Sequence, residues 1–203
     1  MIKQRIDLLR HGETHLSHTL RGHLDDELTE KGWLQMQSAI QQQLDVGRHW
    51  DVIISSPLQR CRLFAEHYAK YLNKPLIITP HLKEMYFGDW EGCSTQWIYE
   101  NSSKLLANFW KFPTQYQAPN GESLVQFQQR VFLGFSQIDQ EMQQNHWQCA
   151  LLITHGGIIK LLTCLARQQH LDDLLKMPAE YGTLHSFLMG MQQNQCYFEE
   201  LQC

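Results

Sequence analysis

The sequence lacks the features that mark several large classes of protein. No apolar run approaches the roughly 18–20 residues that a bilayer-spanning helix needs. Residues 1–6 lead directly into the first predicted strand, so we expect neither a membrane span nor a signal peptide. No basic tract is present and the formal net charge is −4, which disfavours non-specific binding to nucleic acid. We therefore expect a small-molecule ligand, with no nucleic-acid or membrane partner.

Cysteine pairs, cofactor fingerprints and recognised metal motifs are missing as well. The six cysteines are scattered without a Cys-x-x-Cys pair, which predicts reduced thiols in a cytoplasmic protein. Gly-x-Gly-x-x-Gly is absent, which disfavours a dinucleotide site. Four histidines lie close together, but Gly12 would break a helix that aligned the first two, and no known ligand spacing is present. We therefore predict no metal and no other cofactor. The four histidines are His11, His15, His18 and His23.

The overall composition is that of a single enzyme domain with a full core. The 203 residues are 43% hydrophobic and 19% charged. Strands are predicted at 6–9, 51–54, 76–78, 150–154, 184–189 and 196–201, and helices at 29–44, 58–72, 94–112, 122–145 and 158–166. This alternation predicts an α/β fold: a three-layer α/β/α sandwich with a mostly parallel central sheet. We expect one domain over 1–203, in which 80–122 forms a lid or cap over the pocket.

Local signals predict several helix ends and buried faces. Thr29 and Ser123 are interpreted as cap residues, and Ser56 followed by Pro57 is a typical helix start. Trp90, Trp97 and Trp110 are interpreted as core residues, with stacking of one of them on a substrate base as the alternative. The periodicity of two helices predicts these buried residues: Leu34, Met36, Ala39, Ile40 and Leu44 in the first, and Leu124, Phe127, Val131, Phe135 and Ile138 in the second.

Three predicted strands end in groups suited to a phosphate. The first ends in Arg10-His11-Gly12, where glycine is expected to let the backbone turn away. The second runs into Ser55-Ser56-Pro57 and then Arg60, one turn into a helix whose N-terminus favours an anion. The fourth ends in His155-Gly156-Gly157, which is expected to bare backbone N–H groups at another helix start. Because ligands bind beyond the carboxyl ends of such strands, we expect a dianion pocket there.

Phosphoryl transfer to a histidine gives these residues roles. His11 is the candidate nucleophile, held by Arg10 and faced by Arg60 and His155. The leaving alkoxide needs a proton from a carboxyl group near the pocket but outside the arginine clamp. Glu84 is the best candidate for that acid.

Two further assignments complete the candidate site. Glu91 and Glu13 remain alternatives to Glu84 as the acid. Substrate contacts are predicted at Gly22 and Gly156.

Four motifs occur in the order of a known family. They are Arg10-His11-Gly12-Glu13-Thr14, Ser56-Pro57-Leu58-x-Arg60, Glu84 followed by Phe87-Gly88-x-Trp90-Glu91-Gly92, and His155-Gly156. With them the chain resembles the histidine phosphatase superfamily, in its phosphoglycerate mutase-like branch. The resemblance implies a phosphohistidine intermediate on His11 that is then hydrolysed, a proton donor in the Glu84 segment, and no metal.

Within the superfamily the chain is most similar to the α-ribazole-phosphate phosphatases of cobalamin biosynthesis. The similar motifs are Gly22-x-x-Asp25-x-x-Leu28-Thr29, 87–92 and Pro119-Asn120-Gly121-Glu122-Ser123. Ser17 stands where many members have an asparagine, and the loop 12–22 is shorter than their pattern. No ligand contact is therefore assigned to Ser17 or Arg21. The resemblance implies a phosphomonoesterase that acts on α-ribazole 5′-phosphate.

Other functions remain open at this point. A phosphoglycerate mutase is disfavoured because the chain leaves little room for the inserted segments of the mutases, and a broad sugar-phosphate phosphatase is a further alternative. A non-catalytic phospholigand-binding module is disfavoured because every expected catalytic residue type is present. The expected partner is a small phosphate ester, and we expect a monomer or a homodimer.

Overall fold

The computed structural model describes residues 3–192 and 195–201. The strands are β1 (Gln4–Arg10), β2 (Val52–Ser55), β3 (Leu76–Ile78), β4 (Cys149–Thr154), β5 (Leu184–Gln192) and β6 (Gln195–Glu200). The α-helices are α1 (Glu30–Asp45), α2 (Gln59–Tyr71), α3 (Thr95–Lys111), α4 (Leu124–Gln144) and α5 (Gly156–Ala166). Short 3₁₀ helices, which the sequence analysis did not predict, lie at Pro80–Leu82, Gly88–Trp90 and Leu171–Lys176.

The strands of this described part form one mixed sheet. Its order is β3-β2-β4-β1-β5-β6. The neighbours from β3 to β1 pair in parallel. β5 pairs antiparallel with both β1 and β6. Alternate residues of the central strands face opposite sides, as the pleat requires. Ile6 and Leu8 belong to the core shared with α3, α4 and α5, whereas Leu9 belongs to the core shared with α1 and α2. The predicted three-layer sandwich is confirmed.

The central strand β1 carries a buried charge inside its apolar run. Asp7 is fully buried, and its Oδ2 accepts a hydrogen bond of 2.7 Å from the indole N–H of Trp50. Arg5 and Arg48 each approach the carboxylate to 3.3 Å. A buried carboxylate is tolerated when it is paired in this way, so Asp7 links β1 to the segment that leads into β2.

Most of the predicted local features are confirmed. Thr29 and Ser123 cap α1 and α4 through their side chains, and the five predicted apolar residues of α4 are all buried. Leu34 was wrongly assigned to the core: 56% of it is exposed, because the buried stripe of α1 passes through Met36 and Ile40. Trp90 lies in the core, while Trp97 and Trp110 are exposed.

The start of α2 differs from the prediction. The helix begins at Gln59, and its N-cap residue, Leu58, makes no side-chain capping bond. The backbone N–H of Gln59 donates instead to Asp25 Oδ1 at 2.7 Å. The anion at this helix N-terminus is therefore a protein carboxylate. The Ser56 hydroxyl instead shares a hydrogen bond with His155.

Within the described ranges no helix is long and apolar enough to cross a membrane. The same residues contain no cluster of three or more histidine, cysteine or acidic side chains placed to hold a metal ion. The cysteines within them are unpaired, and Cys203 lies outside the described residues.

Gly12 and Gly32 allow the loop after β1 to pass directly over the first turn of α1. A Cβ atom added to Gly12 would overlap the Gly32 backbone, and one added to Gly32 would overlap the Glu13 carbonyl oxygen. Neither glycine has a positive φ. Gly12 is therefore required for close approach of two backbones rather than for the turn conformation that the sequence suggested. This contact holds the loop against the start of α1.

Gly32→Ala should lower the free energy of unfolding although alanine is the better helix former. The propensity gain is at most about 1 kcal/mol, whereas overpacking costs about 1–3 kcal/mol and more when a backbone atom must move. Chemical denaturation should show a net loss of about 1–2 kcal/mol. Ser38→Ala, an exposed position of the same helix, is the control. Equal stability of Gly32→Ala and wild type would contradict the close approach.

Candidate active site

A cavity of about 330 Å³ opens at the carboxyl ends of β1 and β4. One part of its wall is polar and basic, and the other is apolar. The lining residues are Arg10, His11, Ser17, His18, Thr19, Leu20, Arg21, Glu84, Met85, Phe87, Thr95, Phe109, Phe127, Gly156, Gly157, Lys160, Leu174, Leu175 and Tyr181. The sheet thus brings three of the predicted catalytic residues, His11, Arg10 and Glu84, to one cavity.

His11 follows the last residue of β1, and its ring is oriented by its own loop. Nδ1 lies 2.8 Å from the Gly12 carbonyl oxygen, which can only accept, so Nδ1 carries the proton and Nε2 keeps its lone pair. Burial, together with the positive charges of Arg60 and Arg10, holds the pKa of His11 well below its usual range. A neutral imidazole with a free Nε2 is the form that a nucleophile requires.

His155 lies behind His11 rather than on the cavity wall. The two ring centroids are 5.3 Å apart in an edge-to-face arrangement. His155 Nε2 shares a hydrogen bond of 2.7 Å with the Ser56 hydroxyl, which is the contact that Ser56 makes in place of a helix cap. Burial, followed by the charge of Arg60, holds the pKa of His155 well below its usual range. Cys61 packs beside it, and burial raises the pKa of that thiol.

Arg10 reaches the cavity from the end of β1. Its Nη1 donates to the Ala179 carbonyl oxygen, and its Cζ lies 4.1 Å from the centroid of the Tyr181 ring. A Cβ atom at Gly156 would come within 3.1 Å of the guanidinium. Gly156 therefore makes room for Arg10 at the start of α5. Burial lowers the pKa of Arg10, but a guanidinium remains charged.

Arg60 is fully buried beneath the loop that follows β1. It donates to the carbonyl oxygens of Gly22 and Leu24, each at 2.8 Å, and to that of Arg21 at 3.3 Å. Its Nε is buried and has no partner within the described part of the chain. Arg60 thus organises the loop from below while its charge acts on both histidines.

Among the three carboxyl groups considered for the acid, only Glu84 reaches the cavity. Its oxygens accept from the backbone N–H groups of Met85 at 2.9 Å and Gly157 at 3.0 Å. Glu13 pairs with Lys31 at 2.7 Å on the surface. Glu91 accepts from the backbone N–H groups of His23, Leu24 and Phe87 at 2.5–3.0 Å, so it ties the loop after β1 to the segment around Phe87.

The segment that carries Glu84 is held by Arg130 of α4. Its guanidinium donates to the carbonyl oxygens of His81, Lys83 and Glu84 at 2.7–3.2 Å. Glu122 pairs with Arg130 at 2.8 Å and so fixes the plane of the guanidinium. The candidate acid is thereby attached to a long helix rather than to a free loop.

The structure does not test the substrate contacts predicted at Gly22 and Gly156, but it shows the surroundings of both glycines. Gly22 does not line the cavity: its carbonyl accepts from Arg60, and a Cβ there would overlap the Met85 carbonyl. Of the two glycines that start α5, Gly157 already donates its N–H to Glu84. Substrate contacts from Gly22 and Gly156 stay predictions.

Arg21, Tyr181 and Lys160 are polar residues of the cavity to which the sequence led us to assign no role. Arg21 and Tyr181 meet over it, with Arg21 Nη2 donating to Tyr181 Oη at 2.7 Å. Lys160 lies on α5 and donates to the Leu175 and Met177 carbonyls at 2.8 and 2.7 Å. Arg21 lies in a loop and Tyr181 between elements, so neither belongs to a periodic pattern. Nothing in the local sequence distinguishes either residue.

The apolar wall is also built from distant segments. Phe87 and Phe109 come from 80–122, Phe127 from α4, and Leu174 and Leu175 from the last 3₁₀ helix. None of Trp90, Trp97 and Trp110 lines the cavity, so the alternative of a tryptophan that stacks on the substrate is wrong, and the aromatic lining residues of the wall are phenylalanines.

Comparisons with known proteins agree with this geometry. The family model of the histidine phosphatase superfamily (branch 1) matches residues 6–201. The adenosylcobalamin/α-ribazole phosphatase of Escherichia coli is 32% identical over 179 residues, 87% of this chain and 81% of its own. Phosphoserine phosphatase 1 of Hydrogenobacter thermophilus is 29% identical over 164 residues, which are 79% of this chain and 74% of its own.

The fold is similar to that of a solved relative along nearly its whole length. The α-ribazole phosphatase from Shigella flexneri superposes with a TM-score of 0.77 at 25% identity, over 98% of this chain and 96% of that one. The family match covers almost every described residue, and residues of three of the four motifs, namely Arg10, His11, Glu84 and Gly156, line the cavity. The chain therefore belongs to the histidine phosphatase superfamily (branch 1) and is a phosphoric monoester hydrolase.

Proposed function

We propose that this protein hydrolyses α-ribazole 5′-phosphate through a phosphohistidine on His11. The observation that carries the proposal is the two-part cavity. Arg10 and His11 form a basic end, and Phe87, Phe109 and Phe127 form an aromatic wall. A phosphate ester whose alcohol carries an apolar aromatic base matches both parts.

The first chemical step uses the free lone pair of His11. Nε2 attacks phosphorus, the bond between phosphorus and the ester oxygen breaks, and the electron pair leaves with that oxygen. Arg10 and Arg60 supply the positive charge that stabilises the phosphoryl oxygens. The Gly12 carbonyl, which accepts from Nδ1, stabilises the charge that develops on the imidazole.

Glu84 supplies the proton in the first step and recovers one in the second. In its protonated form it donates to the leaving alkoxide, so the alcohol departs neutral. The resulting carboxylate then takes a proton from water as the water oxygen attacks the phosphohistidine. This step releases inorganic phosphate and restores free His11 and protonated Glu84. One water is consumed in each turnover.

The apolar wall also supports this substrate against phosphoserine and phosphoglycerate. Both of those esters carry a carboxylate, and a charge placed against Phe87, Phe109 and Leu174 would lose hydration without a partner. Phosphoserine remains the second candidate because of the relative from Hydrogenobacter thermophilus and because Lys160 lies on the cavity wall. We further propose a cytoplasmic location and a capping role for 80–122, which contributes Glu84 and part of the wall.

A substrate panel tests the proposal directly. Phosphate release should be compared for α-ribazole 5′-phosphate, phosphoserine, 3-phosphoglycerate, a sugar phosphate and 4-nitrophenyl phosphate, with EDTA present. The highest kcat/KM is expected for α-ribazole 5′-phosphate. A preference for phosphoserine would replace the proposed substrate, and conversion of 3-phosphoglycerate to its isomer would indicate a mutase.

His11→Ala should lose at least about 10³-fold in kcat, since removing a covalent nucleophile abolishes the two-step path. Acid quenching of wild-type turnover should recover an alkali-stable, acid-labile phosphoenzyme that the variant does not form. His15→Ala, which alters a histidine of the same loop outside the cavity lining, is the control. A phosphoenzyme in His11→Ala would place the nucleophile elsewhere.

Arg60→Lys should reduce kcat/KM although the charge is kept. A lysine cannot donate to the carbonyls of Gly22 and Leu24 in the fixed fork of a guanidinium. Losing one such charge-assisted bond predicts a fall of about 10-fold or more. Arg62→Lys, on the exposed side of α2, should behave as wild type. Full activity of Arg60→Lys would mean that charge alone suffices at this position.

Glu84→Gln should impair substrates in proportion to their need for a proton. A general acid contributes about 10²–10⁴-fold for an alkoxide leaving group, whereas nitrophenolate leaves with little help. We expect a loss in that range on the ribose phosphate and a much smaller loss on 4-nitrophenyl phosphate. Glu91→Gln, which affects loop closure, should show similar losses on both. Equal losses for Glu84→Gln would indicate binding or positioning instead.

A further inference from the structure

The loop between β1 and α1 contains a buried arginine to which neither the family motifs nor the proposed mechanism assigns a role. The side chain of Arg21 is only 6% exposed, yet it lines the cavity beside His11. Its Nη1 donates to the hydroxyls of Thr14 and Ser17, and its Nη2 donates to Tyr181. Its Nε–H is buried and has no partner in the described chain.

The same missing partner recurs at the other two arginines of the site. The Nε atoms of Arg10 and Arg60 are likewise buried without a partner among the described residues. The charges of all three arginines depress the pKa of His11. A buried donor that stays unpaired costs about 1–3 kcal/mol, so the site keeps these cations at a cost. Arg10 and Arg21 line the cavity, where an anion would pair with their charges.

The charge balance favours a phosphate group. Asp26 is buried between two of the arginines, with Oδ2 3.6 Å from Arg21 and Oδ1 3.5 Å from Arg60. Glu84 and Lys160 also line the cavity, so two carboxylates stand against three guanidinium groups and one ammonium group, and the cluster remains cationic. A phosphate dianion suits it better than a single carboxylate does.

Tyr181 connects two of the arginines to the nucleophile. Its ring lies under the Arg10 guanidinium, 5.7 Å from the His11 ring centroid, and its hydroxyl accepts from Arg21. Burial raises the pKa of Tyr181, but the charges of Arg21 and Arg10 and the side-chain hydrogen bonds to Ser17 and Arg21 together outweigh it, and the net direction is down. One phenol thus sets the positions of two guanidinium planes.

We infer that Arg21 is a third phosphate-binding guanidinium of this site and that Tyr181 is its positioning residue. The inference rests on the proposed function only in taking this cavity as the phosphate site. It does not depend on which alcohol is esterified.

Calorimetric titration of the full chain with inorganic phosphate tests the assignment without turnover. Arg21→Gln should weaken phosphate binding about 10-fold or more, the loss of one charge-assisted hydrogen bond. Because this variant leaves Asp26 without one cation, R21Q/D26N is titrated beside it, with D26N alone as the matched control. D26N should bind at least as tightly as wild type, and R62Q should bind equally.

Tyr181→Phe removes one hydroxyl and keeps the ring over Arg10, so it should fold normally. We expect a loss of several-fold in phosphate affinity, smaller than that of Arg21→Gln. Equal affinities of R21Q/D26N and D26N would overturn the binding role of Arg21, and wild-type affinity in Tyr181→Phe would overturn the positioning role. Inactivity towards α-ribazole 5′-phosphate would disprove the proposed substrate while leaving these affinities interpretable.

Discussion

The buried guanidinium of Arg60 is the contact on which the rest of the site depends. Its two terminal nitrogens bind carbonyl oxygens of residues 21, 22 and 24, so the loop above it has a definite shape. The same charge disfavours protonation of His11 and His155. Structure and electrostatics thus come from one side chain. A fully buried cation is costly alone, and the loop carbonyls with nearby Asp26 compensate for it.

The site is organised for an anion before any anion binds. Each guanidinium is held by protein acceptors through its terminal nitrogens, and Nε of each is left over. Guanidinium planes that are already fixed need no reorganisation when negative charge develops on the phosphoryl oxygens. Glu84 is likewise held in place: its carboxylate accepts from the Gly157 N–H, and its carbonyl oxygen accepts from Arg130.

Specificity and chemistry come from different parts of the chain. The histidines and the arginines of the family motifs follow β1, β2 and β4, whereas the apolar wall is assembled from 80–122, which also carries Glu84, from α4 and from the 3₁₀ helix at Leu171–Lys176. A family that keeps the first set and varies the second can act on many phosphate esters. The curated relatives, with their different substrate names, agree with that division.

The sequence alone determined the layer order, the strand ends and the five catalytic candidates. These features depend on periodicity and on short motifs, which are local. Tertiary structure alone decided the rest. Asp25 accepts from the α2 N-terminus because a distant loop passes over it, and Ser56 bonds to His155. Glu84 was separated from Glu13 and Glu91 because it alone of the three reaches the cavity, whereas Glu13 pairs with Lys31 and Glu91 accepts from the backbone. Arg21 and Tyr181, 160 positions apart, meet through folding, and no local pattern encodes such a contact.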